Sequence, residues 1–285
     1  MLECNNCSNS SRRHSGPNFS ASAFRTRMDA VWFSGKLTAA QNECLTGFAA
    51  AYVFYNILGH RIPVSWLAYV LATTYHETAF TMQPIEEYGR GAGHSYGEPD
   101  PETGQAYYGR GYVQLTWEEN YQKAQGCVVN LNTLACDVPL VMQPDLALTP
   151  WVAAQVAING MSQGWFTGKK LGDYLTATQT DYVNARRIIN GTDKAQTIAA
   201  YAEEAGAALW LAHGDGLTRC LVQTGSQGDD VRELQLMLGT GPDGVAGSAT
   251  ISALTDFQRR HGLNADGKCG SQTWAVLDRE VYGIN

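Results

Sequence analysis

Three glutamates stand where paired carboxylates could move protons: Glu77 in His76-Glu77-Thr78, and Glu86 with Glu87 inside the stretch Met82–Arg90. In glycoside hydrolysis one carboxyl protonates the leaving oxygen while a second, across the cleft, activates water or attacks carbon. At helical spacing Trp66, Val70 and Glu77 share one stripe, which places Glu77 on an apolar face. A carboxyl flanked by apolar surface has its charged form disfavoured and its pKa raised, as suits a general acid. The same spacing also fits a buried, paired carboxylate, and adjacent glutamates also fit a solvated face. A zinc site of the His-Glu-x-x-His kind fails, because Phe80 stands where the second histidine is needed. His14, His60, His94, His213 and His261 show no ligand spacing, so neither a metal nor a cofactor is expected.

A second candidate is Tyr107-Tyr108-Gly109-Arg110-Gly111-Tyr112-Val113-Gln114-Leu115-Thr116-Trp117. Strand alternation places Tyr108, Arg110, Tyr112, Gln114 and Thr116 on one face, and Val113, Leu115 and Trp117 on the other. The aromatic and polar face suits a sugar cleft, with rings against C–H groups and amides or hydroxyls bonding sugar oxygens. Thr116 followed by Glu119 also fits a capping box, so Thr116 could simply open a helix.

These residues need a scaffold, and helical periodicity supplies most of it. Helices are expected over 39–56, 64–79, 151–163, 171–189 and 197–211, interrupted by a Gly-, Tyr- and Pro-rich stretch over 81–116 with strand and turn signals. Residues 1–28, rich in Ser, Asn and Arg, read as a flexible extension without the apolar core of a secretory signal peptide. The main domain is expected over 29–212, a linker over 213–223 and a small module over 224–285. In that last part Asp243–Thr250 and Asp266–Thr273 share the pattern Asp-Gly-x-x-Gly-Ser-x-Thr, in which a tight turn launches a helix. The echo reads as two short turns within three helices, too little for a solenoid.

The chain has 285 residues and a formal net charge of −7, with 44% hydrophobic and 16% charged residues, which excludes a disordered or fibrous class. The longest nearly apolar stretch, Leu45–Leu58, is too short for a bilayer span and reads as a core helix, so no membrane insertion is expected. An acidic body without a basic block argues against nucleic acid as partner. Seven dispersed cysteines do not form a disulfide scaffold, although Cys127 with Cys136, and Cys220 with Cys269, could bridge in an oxidising compartment. Cys4-x-x-Cys7 lacks the second pair of a zinc ribbon.

Two resemblances add to this reading. Leu234-Gln235, Asp243-Gly244, Phe257-Gln258 and Asp266-Gly267, followed by Gly270 and Thr273-Trp274, resemble the three-helix peptidoglycan-binding module over about 224–277. His76-Glu77-Thr78, the downstream glutamate, Tyr107–Tyr121 and Ile188-Ile189-Asn190-Gly191 together resemble glycoside hydrolase family 19, the fold of plant chitinases and many phage endolysins. The resemblance implies a mainly α, lysozyme-like α+β fold: a helical catalytic domain with a small β-hairpin region. It implies Glu77 as general acid, Glu87 as base with Glu86 as the alternative, Thr116 holding the attacking water, and Gln114, Asn120 and Asn190 in the sugar cleft. Tyr108 joins these as a sugar contact from the alternation above. The family inverts at the anomeric carbon. The spacer between the two glutamates is shorter than in the plant enzymes, and their cysteine arrangement is absent. The expectation is a monomeric endolysin that cleaves MurNAc–GlcNAc bonds of bacterial peptidoglycan, held in the host cytoplasm until a holin-type pore admits it to the wall. A bacterial chitinase and a non-catalytic wall-binding protein are the alternatives.

Overall fold

The computed structural model describes residues 19–60, 62–176, 178–214 and 221–282. The large core is helical and begins with α1 (Ala21–Met28), which runs on through a π-turn at Asp29–Phe33. Next come α2 (Ala39–Ile57) and α3 (Val64–Glu77), and later α4 (Glu118–Gln125), α5 (Pro150–Gln163) and α6 (Ala195–Gly214). Helix α2 opens on a capping box between Thr38 and Gln41 and is buried on nearly every side from Cys44 to Tyr55, as a central core helix should be. It packs on α5, and a Cβ on Gly47 would stand 3.2 Å from the Pro150 carbonyl oxygen, so a larger residue there would push the two helices apart by a few tenths of an ångström. On the far side α3 lies along α6.

Between α3 and α4 the ribbon forms: β1 (Ile85–Glu86) pairs antiparallel with β2 (Arg110–Gly111), Glu86 opposite Arg110. The architecture is therefore mainly α with one small ribbon among the described residues.

Several expectations are corrected. The flexible extension does not reach residue 28, because Phe19, Phe24 and Met28 are fully buried and Ser20 caps α1. Residues 171–189 form two 3-10 turns, Leu171–Asp173 and Asn184–Ile188, instead of one helix. Thr176, Thr178, Thr180 and Val183 disfavour a helix there, and the Asp181 carboxylate accepts the Asn184 amide at 3.0 Å, restarting the chain as a turn. Helix α3 stops at Glu77, two residues early, since Ala79 and Phe80 take positive φ and reverse the chain. The alternating strand over 107–117 is also absent. Arg110 and Leu115 exchange both backbone hydrogen bonds, closing a tight turn that resets the alternation. Tyr112 then enters the core, 1% exposed and stacked on Phe48, while Trp117 is 52% exposed.

The C-terminal module comprises α7 (Asp229–Met237), α8 (Ser248–Arg260) and α9 (Ser271–Tyr282). Its two turns are halves of a fuller repeat. Gln235 Nε2 donates to Asp243, to the Val245 carbonyl and to Thr250, and its Oε1 accepts from Gly244 N. Gln258 makes the same bonds to Asp266, the Lys268 carbonyl, Thr273 and Gly267 N. Each buried amide thus satisfies the turn that follows its own helix, so the repeat unit is a helix plus a turn. Val222 belongs to this module's core and bridges Cys269, so the module begins inside the expected linker. Residues 1–18, linker positions 215–220, the Cys4/Cys7 pair and Cys220 lie outside the described residues; Cys127 and Cys136 are free thiols.

Candidate active site

Glu77 is the last residue of α3, where the negative end of the helix dipole disfavours a carboxylate. What holds it is Arg186, 3% exposed, whose Nη1 donates to Glu77 Oε1 while its Nε donates to the Asp193 carbonyl at 3.0 Å. The apolar setting expected for Glu77 is therefore replaced by an ion pair between a buried guanidinium and a half-buried carboxylate. One carboxylate oxygen is engaged by the guanidinium, which leaves the other, without a partner among the described residues, as the one available to carry a proton. Asn190 lies one turn beyond Arg186, its amide donating to the Arg186 carbonyl at 3.0 Å. Its side chain is exposed and accepts Gly191 N at 2.8 Å.

A second cluster forms on the ribbon. Glu86 accepts from Tyr108 OH at 3.0 Å and from Arg90 Nη2 at 2.9 Å. Glu87 accepts from Tyr96 OH at 2.9 Å and from Gly109 N at 3.0 Å, and its own amide donates to the Gly109 carbonyl at 2.7 Å. Glu86 thus faces a cation, whereas Glu87 meets two neutral donors. Tyr108 is not the open sugar platform that alternation suggests. It is buried, its hydroxyl is committed to Glu86, and its ring lies 3.6 Å from the Arg110 guanidinium. Burial, first of all, pushes the Tyr108 hydroxyl above its ordinary pKa. Arg110 in turn bonds Asp145, the Ala106 carbonyl and Tyr121 OH, and so braces the ribbon from beneath.

Gln114, Thr116 and Asn120 follow in a line. Gln114 Nε2 donates to the Ile85 carbonyl at 3.2 Å, Thr116 Oγ1 to the Gln114 carbonyl at 2.9 Å, and Asn120 Nδ2 to the Thr116 carbonyl at 3.0 Å. With its proton committed, the Thr116 hydroxyl offers lone pairs to a donor such as water. It is not the cap of α4; Trp117, at φ 73°, holds that position without a side-chain bond. The structure thus joins Glu86, Glu87, Tyr108, Gln114, Thr116 and Asn120 in one network and sets Glu77 and Asn190 around Arg186. Sequence reasoning missed Arg186, Arg90 and Tyr96. Arg186 stands just ahead of the Ile188-Ile189-Asn190-Gly191 motif, a signal that was there to use; nothing in the spacing marks Tyr96.

Among the described residues no group of three or more His, Cys, Asp or Glu could hold a metal ion, and no helix is long and apolar enough to cross a membrane. Mainly helical, with a small ribbon carrying clustered carboxylates, the protein ends in a module that matches the peptidoglycan binding domain family model over residues 227–277. Its larger part is similar to solved family 19 enzymes. Chitinase C from Streptomyces griseus HUT6037 is 20% identical, with 67% of this chain and 92% of that one covered at a TM-score of 0.44. A bacterial family 19 chitinase is 21% identical, with 67% and 94% covered at a TM-score of 0.38. A search of curated proteins found no match.

Proposed function

We propose that the protein is an endolysin-type muramidase that hydrolyses the β-1,4 bond between N-acetylmuramic acid and N-acetylglucosamine in peptidoglycan. The observation that carries this reading is the pair of separately held carboxylates, Glu77 on Arg186 and Glu87 on Tyr96 and Gly109, in a chain whose C-terminal module matches a wall-binding family. Arg186 fixes Glu77 through Oε1, so the proton passed to the glycosidic oxygen leaves from Oε2. Glu87 takes a proton from a water that also donates to Thr116, and the hydroxide attacks the anomeric carbon from the opposite face, inverting it. Glu86, held against Arg90, braces the ribbon. In this reading the enzyme is made in a phage-infected cell, waits in the cytoplasm, and reaches the wall as a monomer through a holin-type pore.

Mass spectrometry of digested peptidoglycan tests the proposal. Products ending in reducing N-acetylmuramic acid, without an anhydro ring, are expected. Release of sugar only from chitin oligomers would replace it with a chitinase, and no cleavage of either polymer would leave a wall-binding protein without activity.

A further inference from the structure

The segment Gly91–Gly97 is built around one tyrosine. Tyr96 lies parallel to His94, with ring centroids 5.0 Å apart at 6°, and meets Trp117 edge-on at 5.0 Å and 75°. The segment is closed on itself by His94 N to Gly91 O at 2.9 Å and Gly97 N to His94 O at 3.0 Å, and is tied to the chain leading into β2 by Tyr107 N to Tyr96 O at 2.9 Å. Gly91 has φ +73°, and a Cβ there would lie 2.7 Å from Gly97 Cα and 2.8 Å from the Tyr96 ring. A Cβ on Gly97 would lie 2.1 Å from the Gly91 carbonyl oxygen. Two glycines are therefore required for the ring to sit where it does. So clamped, the ring directs its hydroxyl at Glu87 Oε1 while the Gly109 amide holds Oε2. The Tyr96 proton is firmly retained, its pKa raised above the ordinary value first of all by the bond to Glu87.

We propose that Tyr96 is a positioning residue that sets the rotamer of the Glu87 carboxylate, and that the Gly91–Gly97 turn with the His94 and Trp117 rings exists to aim it. A glutamate just past a two-residue strand has free rotation about its side-chain bonds, and one amide contact restrains a single oxygen. A second donor on the other oxygen fixes the plane of the carboxylate, and with it the lone pair that must face the attacking water. Only one lone pair of each oxygen is used by these donors, so the group can still accept a proton. The proposal rests on the assignment of Glu87 as base.

The test uses the full-length protein and soluble peptidoglycan fragments, with kcat, KM and Tm measured for each variant. Tyr96→Phe is expected to lower kcat by about ten- to a hundredfold, the rate equivalent of one hydrogen bond to a charged acceptor, with KM and Tm little changed. Gly91→Ala, which displaces the ring without touching Glu87, is expected to lower kcat in the same way, and its combination with Tyr96→Phe to add little. In a Glu87→Ala background Tyr96→Phe is expected to cost nothing further. Wild-type kcat in Tyr96→Phe, a loss confined to KM, or an undiminished effect in the Glu87→Ala background would overturn the proposal. An inactive wild-type protein, or full activity in Glu87→Ala, would instead overturn the functional reading beneath it.

Discussion

A carboxylate at the C-terminal end of a helix sits in the wrong field, and Glu77 is tolerated there because Arg186 reaches it from the 3-10 turn ahead of Asn190. The two partners are not equivalent: Arg186 is 3% exposed at its side chain, Glu77 27%. Removing the guanidinium leaves a carboxylate that water can still reach; removing the carboxylate charge leaves a buried cation whose remaining partner among the described residues is the Asp193 carbonyl. Glu77→Gln should therefore lose activity by about 10²- to 10⁴-fold, the usual contribution of a general acid, and also lose about 1–3 kcal/mol of stability. Turbidity assays and thermal unfolding of the same sample check both. Unchanged activity would remove Glu77 from the reaction, and unchanged Tm would mean that the pair is held apart from water less tightly than its geometry indicates.

The helices were legible in sequence because their apolar periodicity is long and regular: α2, α3, α5 and α6 fall close to the expected ranges. The ribbon was not, since β2 spans two residues and the turn from Gly111 to Gln114 breaks the alternation that would face Tyr112 toward sugar. A side chain's direction after such a turn depends on backbone φ, which residue types alone do not specify. Glu86, Glu87, Gln114, Thr116 and Asn120 could be picked out by type and motif, whereas Arg186 reaches Glu77 from a segment 109 residues away and Tyr96 reaches Glu87 through a turn that residue types alone do not specify. In the C-terminal module two turns were visible and the repeat around them was not, because the glutamines that complete it precede the echoed motif. Gln235→Ala and Gln258→Ala should each destabilise the module by about 1–3 kcal/mol, since each strands a buried glycine amide. The Asp243 carboxyl lies below its ordinary value, first because the Val245 amide donates to it and then because Gln235 does. A depressed folded pKa contributes stability that is present above the unfolded value and is lost as pH falls through the folded one. Acid should therefore loosen the first turn below about pH 4, near the unfolded aspartate value. Asp243→Asn should flatten that acid limb in a pH series of thermal unfolding; an unaltered limb would count against it.

At the scale of the whole molecule, the C-terminal module is packed against the large domain. Helix α7 packs on α2 and α1, and Leu236 belongs to the large domain's core. Glu233, 2% exposed, accepts the Ala21 amide at 3.4 Å, and Asp230 accepts the Ser22 hydroxyl at 3.0 Å, so two carboxylates of the module sit at the positive end of α1. Helix α1 is itself core, which changes what N-terminal deletion means: removing residues 1–28 would excise Phe19, Phe24 and Met28 along with the Arg12 and Arg13 charges. A test of whether those charges draw an acidic protein to an anionic wall must stop at residue 18. The docking makes a stronger prediction. If α7 completes the α1–α2 face, the full chain should unfold in one calorimetric transition, and truncation after residue 220 should lower the Tm of what remains. Burial of Leu236 alone is worth about 1.5–3 kcal/mol, and a domain of this size shifts by about 2–4 °C per kcal/mol. Two separate transitions, with the truncated domain keeping its Tm, would instead describe two bodies joined by a linker, free to swing. The single transition expected here means that Glu77 and Glu87 are held at a fixed distance from the module that matches the peptidoglycan binding family.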